Sequence, residues 1–347
     1  MEHLAIDLGG RESQVCVRRA DATIVEEVLR PNESLGRYLK TRPPSRVILE
    51  TCAEAFAVAD LALAAGHEVR VVPSVLVKAL GVGARGVKND RADARALSLA
   101  STRQDLPSVH VASSMARYLR SLCTSRETLI EARTQLINSV RGWMRTELVR
   151  VRRGATETFT RRVREQGERA ERGLPSFIEP MLSAIDALSA QLERLNDQLE
   201  GYAKKDALCK RLMTAPVGPV SAVRVVAAVD TVERFDGAHA VEAYVGLTSG
   251  EHRSSGRGYR TGITKAGPPG VRRALVQACW VAMRTRPKDP LVLWATKIKE
   301  RRGGRVAVVA MARKLVGILY AMWRDGSVYD PCYEEKRRRP KEATPSE

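Results

Sequence analysis

The sequence predicts an α/β domain at the N-terminus, followed by a remainder that is mostly α-helical. Short strand-like segments and a helix-like segment alternate between residues 3 and 74. From residue 115 onward, apolar side chains recur at spacings of three and four, which is the period of an amphipathic helix. A chain of 347 residues, 44% of them hydrophobic, is long enough for two or three domains with cores of their own.

Alternating apolar and polar residues predict strands in the N-terminal segments. Gly9 and Gly10 separate the first two strands, which indicates a hairpin, and a third strand follows in a meander. An apolar strand, a helix that stops at a glycine and another strand come next, so the segments together predict an α/β sheet. The predicted strands are HLAIDL (3–8), SQVCVRR (13–19), TIVEEVLR (23–30), RVILE (46–50) and HEVRVVPS (67–74), and the helix is AFAVADLALAAG (55–66).

Two long helices with a basic segment between them are predicted for the middle of the chain. Apolar residues keep three- and four-residue spacing from Met115 to Trp143 and heptad spacing from Ile178 to Tyr202. The pair predicts a helical hairpin or a coiled coil, which could pack within its own chain or join two chains. Ten arginines occupy the 32 residues from Arg141 to Arg172, and we expect this segment to touch RNA or DNA.

The last third of the chain predicts further helices around a basic loop. The turn PVGP (216–219) leads into an apolar helix, as in the second half of a helix-hairpin-helix, whose backbone amides can hold a phosphate. A glycine-rich basic loop follows, then a helix opened by Pro268 and Pro269, then another apolar helix and a disordered basic tail. The loop covers 244–273, the two helices end near 286 and 323, and the tail covers 336–347. The predicted domains are 1–110, 111–205, 206–328 and a tail at 329–347.

Charge and composition narrow the classes of function. Lysine and arginine outnumber aspartate and glutamate by 58 to 40, and such a surplus suits a polyphosphate partner, so nucleic acid is the leading one. The alternative is a basic enzyme without a polyanionic partner. Six cysteines without a C-x-x-C pair indicate neither a disulfide framework nor a zinc site, and we expect mostly buried thiols. Without a signal-peptide pattern or a long uninterrupted apolar run, we expect a cytoplasmic protein with no membrane partner.

Although the chain has a net charge of +18, four of its acidic residues occur at positions from which they could converge on one site. Asp7 and Glu50 lie at the ends of predicted strands, and Asp90 and Asp93 begin a helix, about 60° apart around its axis. Two unit charges about 4 Å apart repel by about 4 kcal/mol at an effective dielectric constant of about 20, so such a cluster requires cations. Magnesium prefers carboxylate oxygens, and a pair of ions can activate an attacking oxygen and stabilise a leaving oxygen at phosphorus.

Each acid also has an ordinary explanation. Asp7 could cap a turn and Glu50 could be a solvated strand end, and Glu54 competes with Glu50 for the same role. Asp90 and Asp93 could pair with neighbouring cations, of which the candidates are Lys88, Arg91 and Arg95. The order of the four acids favours the joint interpretation. One stands on the first strand, one ends a later strand, and two lie on a helix after the sheet.

This order resembles the ribonuclease H-like fold, and in particular the RuvC-like domain of the DEDD transposases of bacterial insertion sequences. The matching motifs are AIDLGG around Asp7, ILETC around Glu50, GHEVRVVPS, and KNDRADA around Asp90 and Asp93. The family also has a second domain with a serine in a glycine-rich loop, which matches YVGLTSGEHRSSGRGYRTGITKAG here. The resemblance therefore extends from about residue 3 to about 325, and it implies a coiled-coil middle and a mostly helical transposase domain at the C-terminus.

The resemblance implies a mechanism in which the acids and the serine form one composite centre. The serine attacks a DNA phosphate and becomes linked to it, while Mg²⁺ at the four acids, as two ions or with Mn²⁺ in its place, assists. Ser255 matches the nucleophile, with Ser254 as its neighbouring alternative and Tyr259 as a weaker one. Since a serine hydroxyl needs activation and its target is anionic, we expect nearby cations to hold the phosphate. These cations are Arg253, Arg257, Arg260 and Lys265.

Members of this family are similar in using a structured RNA that pairs with donor and target DNA and so selects the sites. The partners implied are the DNA of the element ends and target, such a guide RNA, and further copies of the chain in a dimer or tetramer. If base pairing selects the sites, the protein needs to bind only the sugar-phosphate backbones of DNA and RNA. A basic chain with only 5% aromatic residues, which could stack on bases, agrees with this role.

Three other classes compete. AIDLGG also resembles the first phosphate loop of actin-like sugar kinases, but the helical middle offers no further glycine-rich nucleotide loop. A branched-DNA resolvase of the RuvC type would keep the four acids without the serine loop. A binder of RNA or DNA without enzymatic activity would explain the charge and leave the order of the acids accidental.

Overall fold

The computed structural model describes residues 1–77, 89–168, 173–254 and 257–332. At residues 252–254, 257–258 and 260 it describes the backbone but not the side chains. The chain divides into two compact units, Met1–Ala112 and Ser113–Glu347. The predicted tail from 336 and the cations Lys88, Arg169 and Arg172 lie outside the described residues.

The first unit contains a five-stranded sheet in the order β3-β2-β1-β4-β5. Its β2 is antiparallel to β1 and β3, whereas β4 is parallel to β1 and β5 is parallel to β4. The strands are β1 His3–Leu8, β2 Glu12–Arg18, β3 Ile24–Pro31, β4 Arg46–Glu50 and β5 Glu68–Val72. The helices are α1 Leu35–Lys40, α2 Ala55–Ala64, α3 Ser74–Val77 and α4 Asp90–Arg103. The predictions of five strands, the intervening helix and the helix at Asp90 are confirmed.

Helices cover both faces of this sheet because side chains alternate along each strand. Leu4 and Ile6 of β1 point to the face that packs against α1 and α2. Ala5 of β1 and Ile48 of β4 point to the other face, where Leu97 of α4 joins their core. The unit is therefore a three-layer α/β/α arrangement, with α4 alone among the longer helices on its side in the described part of the unit.

Two hydrogen bonds fix the direction of α4 over the sheet. The imidazole Nδ1 of His3 lies 2.8 Å from the hydroxyl of Ser101, and Arg18 Nε donates to the hydroxyl of Ser98 at 2.9 Å. Ser98 also lies 3.3 Å from the sulfur of Cys16, which is paired with Ala5 in the sheet. As α4 runs from Ser101 back toward its N-terminus, it therefore advances along β1 toward the carboxyl end of that strand.

The second unit begins with an antiparallel pair of long helices, α5 Ser114–Thr146 and α7 Ile178–Lys205. Arg126 of α5 donates to Asn196 of α7 at 2.6 Å, and Arg133 donates to Ser189 at 3.2 Å. Seven residues forward on α5 thus correspond to seven residues backward on α7, as the heptad pattern requires. The prediction of a helical hairpin is confirmed, and the two arginines that interrupt its apolar pattern bridge the helices.

The elements in the rest of this unit are α6 Phe159–Glu168, α8 Ala207–Leu212, α9 Pro219–Val229, α10 Ala238–Tyr244, β6 Ser249–Ser254, β7 Arg257–Ile263, α11 Pro269–Thr285, α12 Pro290–Arg302 and α13 Gly304–Asp325. Among them, α6 packs against α5 and α7, and α13 packs against α8, α10, α11 and α12. The helices predicted near 286 and 323 are confirmed. The prediction of a loop throughout 244–273 is wrong, since β6 and β7 form an antiparallel hairpin within it. Polar residues on both sides of these strands concealed the period of two.

Helix α13 is long and apolar enough by composition to cross a membrane, with a mean hydropathy of 1.6 over 18 residues. Half of that window is buried within the protein, where Met311, Leu315 and Leu319 contribute to the largest core. A central helix of a folded domain has the same composition. Four of the six cysteines are buried, and Cys52 and Cys332 are exposed.

Candidate active site

Asp7 and Glu50 lie at the same edge of the sheet and face the same side. The parallel strands β1 and β4 are in register at Ile6 and Leu49, so the next residue of each strand is an acid. Both follow residues that point into the core beneath α1 and α2, and both therefore point to the α4 side. The carboxyl ends of parallel strands are where α/β folds hold their ligands.

Asp93 of α4 points toward the face of the sheet from which Asp7 and Glu50 project. It lies four residues before Leu97 on the inner face of α4, and its side chain is buried, with 9% of its surface exposed. From Ser101 back to Asp93 the helix covers about 12 Å, and from His3 to Asp7 the strand covers about 13 Å. Since Ser101 and His3 are in contact, Asp93 lies over the end of β1 that carries Asp7. Asp90, one turn earlier, is exposed.

The arginines of α4 are held away from these aspartates. Arg91 Nη2 donates to Glu27 of β3 at 2.8 Å, and Arg95 donates to both oxygens of the same carboxylate. The alternative that Arg91 or Arg95 neutralises Asp90 or Asp93 is therefore wrong. Within the described residues neither aspartate has an ion-pair partner. Asn89 caps the helix by accepting from the Arg91 amide, so both aspartates stand in the first turn, where the helix dipole favours negative charge.

The chemistry of this edge fits a divalent cation. Its donors are carboxylates, and one of them, Asp93, is buried without a cation among the described residues, which is costly for a carboxylate. The described side chains do not, however, bring three histidine, cysteine, aspartate or glutamate groups within metal-binding distance of each other. The edge therefore has the donors and the orientation for a cation, but not a closed cage.

In the sequence the predicted serine lies between β6 and β7, which pair as a hairpin. The last backbone pair of the hairpin joins Ser254 to Arg257, and Ser255 and Gly256, which connect them, lie outside the described residues. The side chains of Ser254, Arg253, Arg257 and Arg260 are likewise outside the description. Tyr259 and Lys265 are exposed, and Lys265 has a left-handed backbone with φ of 56°.

The base of this hairpin is fixed by an arginine that sequence reasoning missed. Arg272 of α11 donates from Nη1 to the carbonyls of Ala266, Val245 and Gly267 at 2.6, 3.0 and 3.2 Å. Gly267 has φ of 70°, and a Cβ atom there would collide with the Tyr244 carbonyl oxygen. The segment after β7 is thereby held against the end of α10. The signal in the sequence is an arginine two residues after the second glycine of a Gly-Pro-Pro-Gly segment.

Several arginines of the arginine-rich segment make contacts within the folded chain. Arg164 binds Glu179 at 2.7 Å and Asp186 at 2.9 Å, which tie α6 to α7. Arg162 donates to backbone carbonyls, and Arg141 stacks over Phe159, 5.1 Å from the ring centroid. Arg161 is exposed and pairs with Glu165 at 3.8 Å. The described arginines that remain exposed without these contacts are Arg145, Arg150, Arg152 and Arg153.

Comparison with known proteins identifies the family of this chain. A family model described as a transposase, of the DEDD IS110 type, matches residues 4–149. A second model, described as the transposase IS116/IS110/IS902 family, matches residues 209–291. The first match contains all four acids, and the second contains the hairpin of Ser255 and its anchoring residue Arg272.

Three relatives that are similar in sequence are named as transposases. The "Probable family 20 transposase" of Pseudomonas aeruginosa is 28% identical over 303 residues, which cover 85% of this chain and 88% of the relative. The transposase for insertion sequence element IS1328 of Yersinia enterocolitica is 24% identical over 334 residues, or 94% and 98% of the two chains. The transposase for element IS1111A of Coxiella burnetii is 28% identical over 242 residues, or 68% and 66%. The chain therefore belongs to the DEDD transposases of insertion sequences, and it is a DNA transposase.

Proposed function

We propose that this transposase cuts and rejoins DNA with Asp7, Glu50, Asp90 and Asp93 as the ligands of Mg²⁺ and with Ser255 as the nucleophile. The observation that carries the proposal is the common orientation of three acids. Asp7 and Glu50 end adjacent parallel strands on one face, and Asp93 is buried over that face at the same edge. These acids are 40 or more residues apart along the chain, except for the pair on α4, so chance does not readily align them.

The topology supports a ribonuclease H-like assignment for the first unit. A meander of three strands is followed by two parallel strands, and helices cover both faces. The acids stand on the first strand, at the end of the fourth and on the helix after the sheet, which is the order that the family resemblance implies. We propose the division 1–110, 111–205, 206–328 and 329–347 for the RuvC-like domain, the coiled-coil region, the serine domain and the tail.

The serine step conserves the number of phosphodiester bonds. The Ser255 hydroxyl loses its proton, its oxygen bonds to phosphorus, and the bond from phosphorus to the bridging sugar oxygen breaks as that oxygen takes up a proton. Attack by another sugar hydroxyl then releases the serine and joins the new strand. Bound divalent ions would supply charge neutralisation at the phosphate and lower the pKa of the attacking oxygen. Arg253, Arg257, Arg260 and Lys265 would hold the phosphate oxygens.

The same proposal assigns the partners. We infer that the chain acts on the DNA of element ends and targets in the cytoplasm, with a structured guide RNA that chooses the sites by base pairing. The net charge of +18 supports contact with both polymers. We infer a dimer or tetramer, since a helical hairpin such as α5 and α7 exposes a second face to other copies.

A covalent protein–DNA product tests this function. The protein is incubated with element DNA, its flanking RNA and Mg²⁺, and the products are separated by denaturing electrophoresis. We expect a DNA-linked protein band that Ser255→Ala abolishes and that Ser254→Ala retains. The Asp93→Asn variant should also give no band. With the parent protein, Mn²⁺ should support formation of the band in place of Mg²⁺.

The alternatives give different patterns. A resolvase-type nuclease would cleave without a DNA-linked band, and Ser255→Ala would cleave as well as the parent. A binder without enzymatic activity would give no strand cleavage at all. Retention of the covalent band in both the Ser255→Ala and the Asp93→Asn variants would refute the proposed site.

A further inference from the structure

The loop that follows α5 begins with a leucine that the fold does not explain. Leu148 has a left-handed backbone, with φ of 59°, and is 93% exposed. Its amide donates to the Arg145 carbonyl at 3.1 Å, and the Val149 amide donates to the Met144 carbonyl at 2.8 Å. These two bonds form a Schellman motif, whose left-handed position is usually glycine. A leucine there strains the backbone and exposes apolar surface, which indicates a role outside the fold.

The rest of the loop between α5 and α6 is held in place by valine side chains and backbone carbonyls. Val149 and Val151 pack against the core that α5, α6 and α7 share at this end of the helical hairpin. Arg162 of α6 donates from Nη2 to the Ala155 carbonyl at 2.7 Å and from Nη1 to the Arg152 carbonyl. These contacts fix the backbone of the loop and leave its arginine side chains available.

Four arginine side chains project into solvent around this leucine. Arg145 precedes it on α5, and the other three follow it in the loop. None of the four pairs with a carboxylate among the residues that the structure describes, and Glu147 is the one acid between them in sequence. We call Leu148 and these four arginines the basic tip. Its members are Arg145, Leu148, Arg150, Arg152 and Arg153.

We propose that the basic tip binds duplex DNA, with its arginines on phosphates along the minor groove and Leu148 wedged between two base pairs. Proteins that enter the minor groove combine cationic side chains with an apolar wedge, which partly unstacks a base step and kinks the duplex. One exposed leucine among four unpaired arginines is this combination. The inference rests on DNA as the substrate of the proposed function, but not on the acids or Ser255.

Other occupants fit the basic tip less well. Double-stranded RNA has a wide, shallow minor groove that proteins recognise through its shape, hydroxyls and phosphates, so an apolar wedge has no use there. Single strands are bound by aromatic stacking, and the tip has no aromatic side chain. A second copy of the chain would bring the same four arginines and meet repulsion. Duplex DNA alone uses both the leucine and the arginines.

Bending of DNA tests the wedge, with the full chain and without metal or guide RNA. The probe is a duplex of about 24 base pairs with a central TA step, which kinks readily, and with a fluorophore at each end. Energy transfer between the fluorophores should rise when the parent binds, because a kink brings the ends together. Leu148→Gly should bind without this rise, and Leu148→Met, which retains an apolar side chain, should show it. Since glycine relieves the left-handed strain, Leu148→Gly should melt no lower than the parent.

The salt dependence of affinity for the same duplex tests the arginines. Each phosphate contact contributes about 0.9 to the slope of log affinity against log salt concentration, so replacing both Arg150 and Arg152 by glutamine should lower the slope by about 1.8. The matched control replaces Lys204 and Lys205 by glutamine, which removes the same charge at the opposite end of the helical hairpin. Its slope and its bending should equal those of the parent.

Several results would overturn the proposal. They are bending by Leu148→Gly equal to that of the parent, an equal loss of slope in the two double variants, and a greater loss of affinity for duplex RNA than for duplex DNA in the arginine variant. A change of molecular mass in solution on replacement of Leu148 would also contradict it and identify a protein interface. None of these measurements requires cleavage, so they remain informative whether or not Ser255 forms a covalent product.

Discussion

Arg95 on α4 binds the carboxylate of Glu27 on β3 through two nitrogens, one of which lies 2.6 Å from Oε2. Arg91, one turn earlier, donates to the same oxygen at 2.8 Å. These hydrogen bonds, the one from Arg95 foremost, lower the pKa of Glu27 to about 2. The triad fastens the first turns of α4 to the sheet and leaves Asp90 and Asp93 on the other side of the helix.

Replacement of Glu27 by glutamine should lower the free energy of unfolding by about 1–2 kcal/mol at pH 7, because two arginines lose a shared charge partner. The folded pKa lies below the unfolded value of 4.5, so the stabilisation is present above pH 4.5 and is lost as the pH falls toward about 2. Urea denaturation between pH 7 and pH 3 measures both effects. The exposed Glu33→Gln serves as the control, and a Glu27→Gln curve that fell with acid as steeply as the parent's would contradict the assignment.

The buried aspartate of α4 should dominate metal binding. Asp93→Asn should weaken Mn²⁺ binding at least about tenfold, since it removes a charged ligand on the inner face of α4. Titration followed by electron paramagnetic resonance detects free Mn²⁺ without any need for activity. Asp60→Asn on α2, at the opposite face of the sheet, should bind like the parent. If both variants lost affinity equally, the ion would lie elsewhere.

The glycine at the base of the serine hairpin should be more sensitive to alanine than a glycine in open space. Gly267 and Gly326 both have positive φ, of 70° and 66°, but only Gly267 would place a Cβ against a backbone carbonyl. Gly326→Ala should cost about 1 kcal/mol from backbone strain alone. Gly267→Ala should cost about 1–3 kcal/mol more, because the Tyr244 carbonyl must move. Thermal unfolding of both variants measures the difference, and similar melting temperatures would exclude the close approach.

The bridge between α5 and α7 should behave as a half-buried polar pair. Burial and the nearby Arg224 lower the pKa of Arg126, and its Nε donates to Asn196. Asn196→Ala should therefore cost about 1–3 kcal/mol, because the guanidinium loses its acceptor. The exposed Gln198→Ala on the same helix should change the free energy of unfolding by less than about 0.5 kcal/mol. Adding Arg126→Met to Asn196→Ala should recover most of the loss in urea denaturation, and additive losses would argue against the pairing.

Sequence patterns predicted the elements that bury one face. The strands of the first unit alternate apolar with polar residues, and each was expected within two residues of its observed bounds. The hairpin of β6 and β7 escaped prediction because its residues are polar on both sides, so no apolar alternation marks the backbone pairing of its strands. Helix α12 also escaped, since its last turns are a run of cations with no apolar stripe.

The sequence by itself determined the order of the acids, the serine motif and the helical hairpin, since spacing along a chain suffices to define a period or a motif. Only the tertiary structure decided that Arg91 and Arg95 bind Glu27 rather than the aspartates, and that Arg272 holds the hairpin base. Those choices depend on which elements become neighbours in space. A carboxylate 64 residues away from Arg91 in sequence can come closer to it than one at the adjacent position, because the sheet and α4 pack against each other.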